Sequence, residues 1–181
     1  MAKKTIVLGV TGSIASYKAA DLVSGLTGKG FEVFVIMTKE AAEFISPLTL
    51  QTLSGNKVYS GMFEFVEEWD VKHVSLAKKA GLILIAPATA NIIGKLACGI
   101  CDDLLTCTLT ASEAPVLIAP AMNDIMYNNK IVQENIARLK KIGYKFIGPK
   151  KGRLACGDVA IGCLADVEAI VKEVDVIASE R

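Results

Sequence analysis

The chain has one histidine, one tryptophan and a formal net charge of +1 across 181 residues. Such a balance offers no electrostatic reason to expect a nucleic-acid or membrane-surface partner. The lysines are also dispersed, as pairs at Lys3–Lys4, Lys78–Lys79, Lys140–Lys141 and Lys150–Lys151. No apolar run approaches the roughly 20 residues of a membrane span. The apolar stretch after Lys4 is cut short at Gly12-Ser13, so it reads as a first β-strand and not as a leader. Five cysteines form an odd set without framework spacing, which points to reduced thiols and a soluble, cytoplasmic protein. With a single imidazole, any histidine chemistry falls to His73.

About half of the residues are apolar (52%). A chain of this length buries roughly two-thirds of its unfolded surface, so it needs no disulfide or structural metal to fold. A single domain over residues 1–181 is expected. Short continuous apolar runs alternate with stretches of helical period, the pattern of a parallel sheet with crossover helices. Strands are expected at Thr5–Val10, Glu32–Met37, Leu82–Ala86, Val116–Ala119 and Lys145–Ile147. Helices are expected near Ile14–Gly28, Lys39–Phe44, Val74–Lys79, Ala90–Cys98, Asp103–Ala111, Asn129–Ile142 and Asp166–Ala178. Two stretches break the rhythm and read as long loops. Residues 58–71 carry Phe63, Phe65 and Trp69, and residues 149–162 carry Gly152, Gly157 and Gly162. Loops of that length in a compact domain are usually functional or mobile. The fold class is α/β, a doubly wound parallel sheet in three layers, with ligands expected at the C-terminal strand ends.

Four groups of residues could carry chemistry there. The turn Gly9-Val10-Thr11-Gly12-Ser13-Ile14-Ala15 joins the first strand to a helix, and small residues let backbone N–H groups approach a phosphate. Ser13 serves equally well as a hydroxyl donor or as a plain N-cap. The turn is neither a dinucleotide fingerprint nor a Walker loop. The second strand ends at Thr38, a hydroxyl where a dinucleotide fold normally places a carboxylate. That favours a mononucleotide. Two further strands end in parallel turns, Ala86-Pro87-Ala88-Thr89-Ala90-Asn91 and Ala119-Pro120-Ala121-Met122-Asn123. Small residues there admit a flat ring, and the Asn amides both donate and accept; compact capped turns are the plainer reading. Cys156 lies between glycine-rich flanks and is a poor core candidate, although a buried thiol is the common alternative. His73 stands before a helix, where an imidazole can exchange protons or simply be structural. Cys98-Gly99-Ile100-Cys101 is formally a CxxC, yet no second ligand pair accompanies it, so no metal is expected.

Taken together these segments resemble the homo-oligomeric flavin-containing cysteine decarboxylases. The resemblance is carried by Gly12-Ser13-Ile14-Ala15, His73 with Leu76 and Ala77, Pro87-Ala88-Thr89-Ala90-Asn91, and Gly99-Ile100-Cys101-Asp102-Asp103-Leu104-Leu105. It continues in Pro120-Ala121-Met122-Asn123 with Met126, and in Leu154-Ala155-Cys156-Gly157. It implies a flavodoxin-like fold that binds FMN, in trimers or a dodecamer of trimers, with flavins near subunit interfaces. Phosphate contacts map to Gly12, Ser13 and Ile14. Ribityl and ring contacts map to Thr38, Phe44, Ala88, Thr89, Ala90, Asn91 and Ala121. His73 would be base or proton relay. Asn123 would hold the substrate carboxylate beside Met122 and Ala155, and Cys156 would sit on a closing clamp and supply a proton.

The implied reaction is decarboxylation of a small-molecule substrate, phosphopantothenoylcysteine, in coenzyme A biosynthesis. Loss of CO2 from a cysteine carboxylate needs an electron sink, and oxidising the CH2–SH group to a thioaldehyde provides one that flavin can drive. Re-reduction of the resulting enethiol leaves no net redox change. The ligase that joins cysteine to the pantothenoyl unit is expected on a separate protein. The chain departs from the pattern at Ile92, where a Ser or Thr is common, and at Gly162-Cys163-Leu164, where Gly-Arg-Met is common. The loss at the second place leaves an arginine contact absent or supplied elsewhere. Competing readings are a peptidyl-cysteine oxidative decarboxylase, a flavin prenyltransferase, a non-catalytic FMN-binding regulatory subunit and a nicotinamide reductase.

Overall fold

The computed structural model describes residues 4–62 and 72–180. Phe63, Phe65 and Trp69 lie outside the described residues. In chain order the elements are β1 (Thr5–Val10), α1 (Ala19–Gly28), β2 (Glu32–Met37), α2 (Pro47–Ser54), β3 (Val58–Tyr59), α3 (Lys72–Lys79), β4 (Leu82–Ala88) and α4 (Ala90–Cys98). There follow α5 (Leu104–Thr110), β5 (Val116–Pro120), α6 (Asp124–Asn128), α7 (Lys130–Lys141), β6 (Lys145–Phe146), β7 (Lys150–Arg153), β8 (Val159–Cys163) and α8 (Val167–Ser179). Six strands form one sheet in the order β3-β2-β1-β4-β5-β6, and every pairing in it is parallel. Without the two-residue edge strand β3, the order is that of the flavodoxin-like sheet. The order reverses between β1 and β4, which is where such sheets open a ligand crevice.

The two faces of the sheet bury alternate residues, as the pleat requires. One core holds Ile6, Leu8 and Val10 of β1 with Leu82 and Leu84 of β4, under Leu22 and Leu26 of α1 and Ile170 and Val174 of α8. The other holds Val7, Ile83, Ile85 and Ile118, under Ile92 and Ile93 of α4, Leu105 of α5 and Leu139 of α7. Helices therefore cover both faces, and this explains why the strands read as continuous apolar runs. Among the described residues, no helix is long and apolar enough to cross a membrane.

Several features differ from the sequence expectation. The helix expected from Ile14 begins as a 3-10 turn (Ile14–Lys18) before α1 takes over, and the one expected at Lys39–Phe44 is a single 3-10 turn, Ala41–Glu43. Helix α2 was not expected, although its signals are present. Ser46 caps it, Pro47 occupies its first position and Gly55 ends it at φ 67°, the usual Pro-start and Gly-end pairing. The stretch expected to be a glycine-rich loop is an antiparallel hairpin, β7–β8, in which Lys151 pairs with Ile161 and Arg153 with Val159. Its glycines and lysines hide the alternation that normally announces a strand.

Leu84 is fully buried between the sheet and one helical layer. Leu84→Ala should lower the unfolding free energy by about 2–5 kcal/mol in a denaturant titration. A loss below about 1 kcal/mol would show that the layer repacks freely.

Candidate active site

The turns that follow β1, β4 and β5 meet at one place because two threonine and serine hydroxyls bind them together. The Thr11 hydroxyl, 2% exposed, donates to the Pro87 carbonyl at 2.7 Å and accepts from the Thr89 N–H at 3.1 Å. The Ser13 hydroxyl reaches the Ala121 carbonyl at 3.5 Å and accepts from the Ala15 N–H at 3.3 Å. The Ala121 N–H in turn donates to the Ala88 carbonyl at 3.0 Å. Thr89 caps α4 by accepting from the Ile92 N–H, and Asn123 caps α6 by accepting from the Ile125 N–H at 2.9 Å. Both turns therefore end in a helix cap, Thr89 in the first and Asn123 in the second, and both line a cleft.

That cleft has a volume of ≈ 890 Å³, within the range that holds a cofactor and a small substrate. Gly12, Ser13, Ile14, Thr38, Thr89, Ala90, Asn91 and Ala121 all line it, as do Met122, Asn123, Ala155 and Cys156. Three expected residues do not. Phe44 ends the 3-10 turn after β2 and is 46% exposed outside the cleft. Ala88 is wholly buried in β4 and takes part through its carbonyl. His73 is half-buried in the first turn of α3, the helix packed against α5, and does not line the cleft.

The hairpin β7–β8 forms the outer wall. It docks through a backbone contact, with the Met122 N–H donating to the Gly162 carbonyl at 3.0 Å. A Cβ at Gly162 would fall 2.2 Å from the Met122 carbonyl oxygen, so only glycine allows this approach. Leu164 packs into the main core beneath it, and a Lys150–Asp166 ion pair holds the base of the hairpin. Docking brings the Asn123 amide nitrogen to 3.8 Å from the Cys156 sulfur. Two residues distant in sequence, read separately as a carboxylate holder and a proton donor, are therefore neighbours.

Several cleft residues have no role assigned from the sequence. Lys18, Lys95 and Arg153 bring cations, and Glu40 and Asp103 bring carboxylates. Lys95 is engaged by Asp102 at 2.8 Å and Asp103 at 3.1 Å; the bond to Asp102 is the main cause that raises its pKa. Burial pushes the Asp103 carboxyl up, but the Thr106 N–H and Lys95 outweigh it and hold the group below its ordinary value. Asp103 is thereby fixed as the cap of α5. Arg153 stands on β7, at the cleft, and is a cation available where Cys163 replaces the commoner arginine. Glu40 follows β2 by three residues, but its Cβ sits against Gly12, where an added Cβ would lie only 2.4 Å away. The CxxC proves to be a helix end. Gly99 adopts φ 69° while the Ile100 N–H returns to the Lys95 carbonyl, a Schellman-type close. All five cysteines are free thiols.

The donor set fits a flavin mononucleotide. A helix start with Gly12, Ser13 and Ile14 suits a phosphate, Thr38 and Thr89 offer hydroxyls for a polyol, and Ala90 and Ala121 leave flat space for a ring.

Gly162→Ala should undock the hairpin while leaving the sheet folded. Limited trypsin digestion should then cut faster at Lys150, Lys151 and Arg153, and an unchanged cleavage pattern would contradict the docking role.

Comparison with known proteins agrees with this geometry. A family model described as Flavoprotein matches residues 1–179. A "Probable phosphopantothenoylcysteine decarboxylase" of Streptococcus mutans is 51% identical, over 95% of this chain and 97% of that protein. The coenzyme A biosynthesis bifunctional protein CoaBC of Borreliella burgdorferi is 49% identical over 93% of this chain, which spans 43% of that longer protein. Among solved structures, a cysteine-to-serine mutant of PPC decarboxylase complexed with pantothenoylaminoethenethiol superposes with a TM-score of 0.89 at 32% identity, covering 98% of this chain and 100% of that one. The FMN binding protein AtHal3 superposes at 0.86 with 32% identity, over 99% of both chains. The chain belongs to the flavoprotein family, among its flavin-dependent cysteine decarboxylases.

Proposed function

We propose that this protein uses FMN to decarboxylate phosphopantothenoylcysteine to phosphopantetheine in coenzyme A biosynthesis. The observation that carries this reading is the meeting of Asn123 and Cys156 under the docked hairpin, 3.8 Å apart at the edge of the cleft. A bound flavin would supply hydride abstraction from the cysteine CH2–SH group and its later return. Gly12, Ser13 and Ile14 hold the phosphate of the cofactor, Thr38 and Thr89 its polyol, and Asn91 and Ala121 border its ring.

Asn123 orients the substrate carboxylate with its amide N–H while its carbonyl stays committed to the Ile125 N–H. One amide face is thus fixed and the other points at ligand, which sets the angle at which CO2 leaves. The hairpin covers the reacting carbon with Ala155 and Cys156 and excludes water from the intermediate. Cys156 then delivers a proton to the enethiol carbon. A peptidyl-cysteine oxidative decarboxylase would not need that last proton, so the presence of Cys156 beside Asn123 favours the redox-neutral reaction.

His73 is placed outside the cleft of its own chain. The reading assigns it to the cleft of a second copy in a homotrimer, consistent with flavins near subunit interfaces, where it acts as base or relay. The substrate comes from a ligase that joins cysteine to the phosphopantothenoyl unit. Five free thiols suit the reducing cytoplasm, where the reading places the enzyme.

Incubation with phosphopantothenoylcysteine should give a product lighter by CO2 alone, read by mass spectrometry. A further loss of two hydrogens would contradict the redox-neutral assignment. Cys156→Ser should still release CO2 and should accumulate the oxidised enethiol; a wild-type product profile from this variant would remove Cys156 from the final step.

A further inference from the structure

We propose that Asp158 is the positioning residue that recharges Cys156 with a proton at each turnover, and the proposal rests on the decarboxylase reading above. The Cys156 thiol donates to the Asp158 carboxylate, with sulfur and Oδ2 3.5 Å apart. On the other side of the same sulfur stands the Asn123 amide at 3.8 Å. Asn123 and Cys156 line the cleft, whereas Asp158 does not and is exposed. The three side chains therefore run from the cleft, through the sulfur, to solvent.

The turn that carries them is built to keep this order. The Gly157 N–H donates to the Leu154 carbonyl at 2.9 Å and the Leu154 N–H to the Asp158 carbonyl at 2.8 Å. Gly157 adopts φ 100°, a left-handed conformation that lets the chain reverse within four residues. Cys156 and Asp158 consequently project on the same side of one closed turn, and the carboxylate meets the thiol without help from any other element.

When the S–H bond of Cys156 breaks and its proton forms a C–H bond on the substrate, a thiolate remains at the hairpin tip, with the Asp158 carboxylate as its hydrogen-bonded neighbour. A hydronium ion from solvent protonates the exposed Asp158 carboxylate and leaves as water, and the carboxylic acid passes that proton to the sulfur. The S–H bond re-forms, the carboxylate is regained, and no electrons change owner. Carboxylic acids are much stronger acids than thiols, so the second transfer is spontaneous. The carboxylates that line the cleft are differently engaged. Asp103 is bound by Thr106 and Lys95, and Glu40 is packed at the end of β2 against Gly12.

Asp158→Asn preserves size and hydrogen-bonding shape but cannot carry a proton. With phosphopantothenoylcysteine, the share of product leaving as the oxidised enethiol should rise about a hundredfold over wild type, the low end of the range for a lost proton-transfer group. Asp158→Glu should restore most of the reduced product, which a merely structural role for the aspartate would not do. An activity-independent readout is the infrared S–H stretch of Cys156, isolated by difference against Cys156→Ser. It should move to higher frequency in Asp158→Asn, because an amide oxygen is a weaker acceptor than a carboxylate. A wild-type product ratio in Asp158→Asn, or an S–H band that stays in place, overturns the inference. If the wild-type protein itself releases no CO2, the decarboxylase reading fails and the relay falls with it.

Discussion

The site depends on the hydroxyl of Thr11. It is buried at the end of β1, and it ties the first strand to the turn after β4 through both the Pro87 carbonyl and the Thr89 N–H. Polar groups without solvent must find partners or cost free energy, so the two strand ends are held at one separation. Ser13, two residues later, extends the same tie to β5 through the Ala121 carbonyl. These strand ends flank the point where the strand order reverses, and the cleft exists because they are spaced but not free to close on one another.

The second constraint is the glycine contact between hairpin and turn. Gly162 accepts the Met122 N–H where no side chain could fit. Backbone contact of this closeness sets the hairpin at a fixed height above Asn123, and the height places Cys156 within reach of the amide. Ion pairing at the base and Leu164 in the core hold the stem of the hairpin, while Ala155, Cys156 and Gly157 at its tip stay exposed. A firm stem with an accessible tip is the arrangement that a substrate cover needs.

Much of this was readable in the sequence, and the parts that were not have physical reasons. β1 and β2 were expected at the limits observed, because both are buried on two faces and bounded by turn residues. The turns ending at Asn91 and Asn123 are legible as a near-matched pair, since an Ala-Pro-Ala start is followed by an amide four residues after Pro87 and three after Pro120. The hairpin has the sequence of a loop because its glycines serve docking and reversal instead of strand packing. The tie made by Thr11 is not legible, because a threonine ending an apolar run carries no mark of its tertiary partners. Phe44 and Ala88 were assigned to ligand contact by resemblance, but local backbone geometry turns one outward and buries the other. His73 lies outside the cleft of its own chain, and the role proposed for it needs a second copy that one chain does not show.

The proposed CO2 loss is redox-neutral: the hydride taken from the substrate in the first half would be returned by a bound flavin in the second, together with a proton from Cys156. A single anaerobic turnover of the flavin-loaded enzyme with phosphopantothenoylcysteine, followed by visible absorbance, tests it most directly. The yellow flavin band should bleach transiently and return to its starting height as phosphopantetheine forms. A band that stays bleached at the end of turnover would contradict the account and assign the chain the oxidative half-reaction alone.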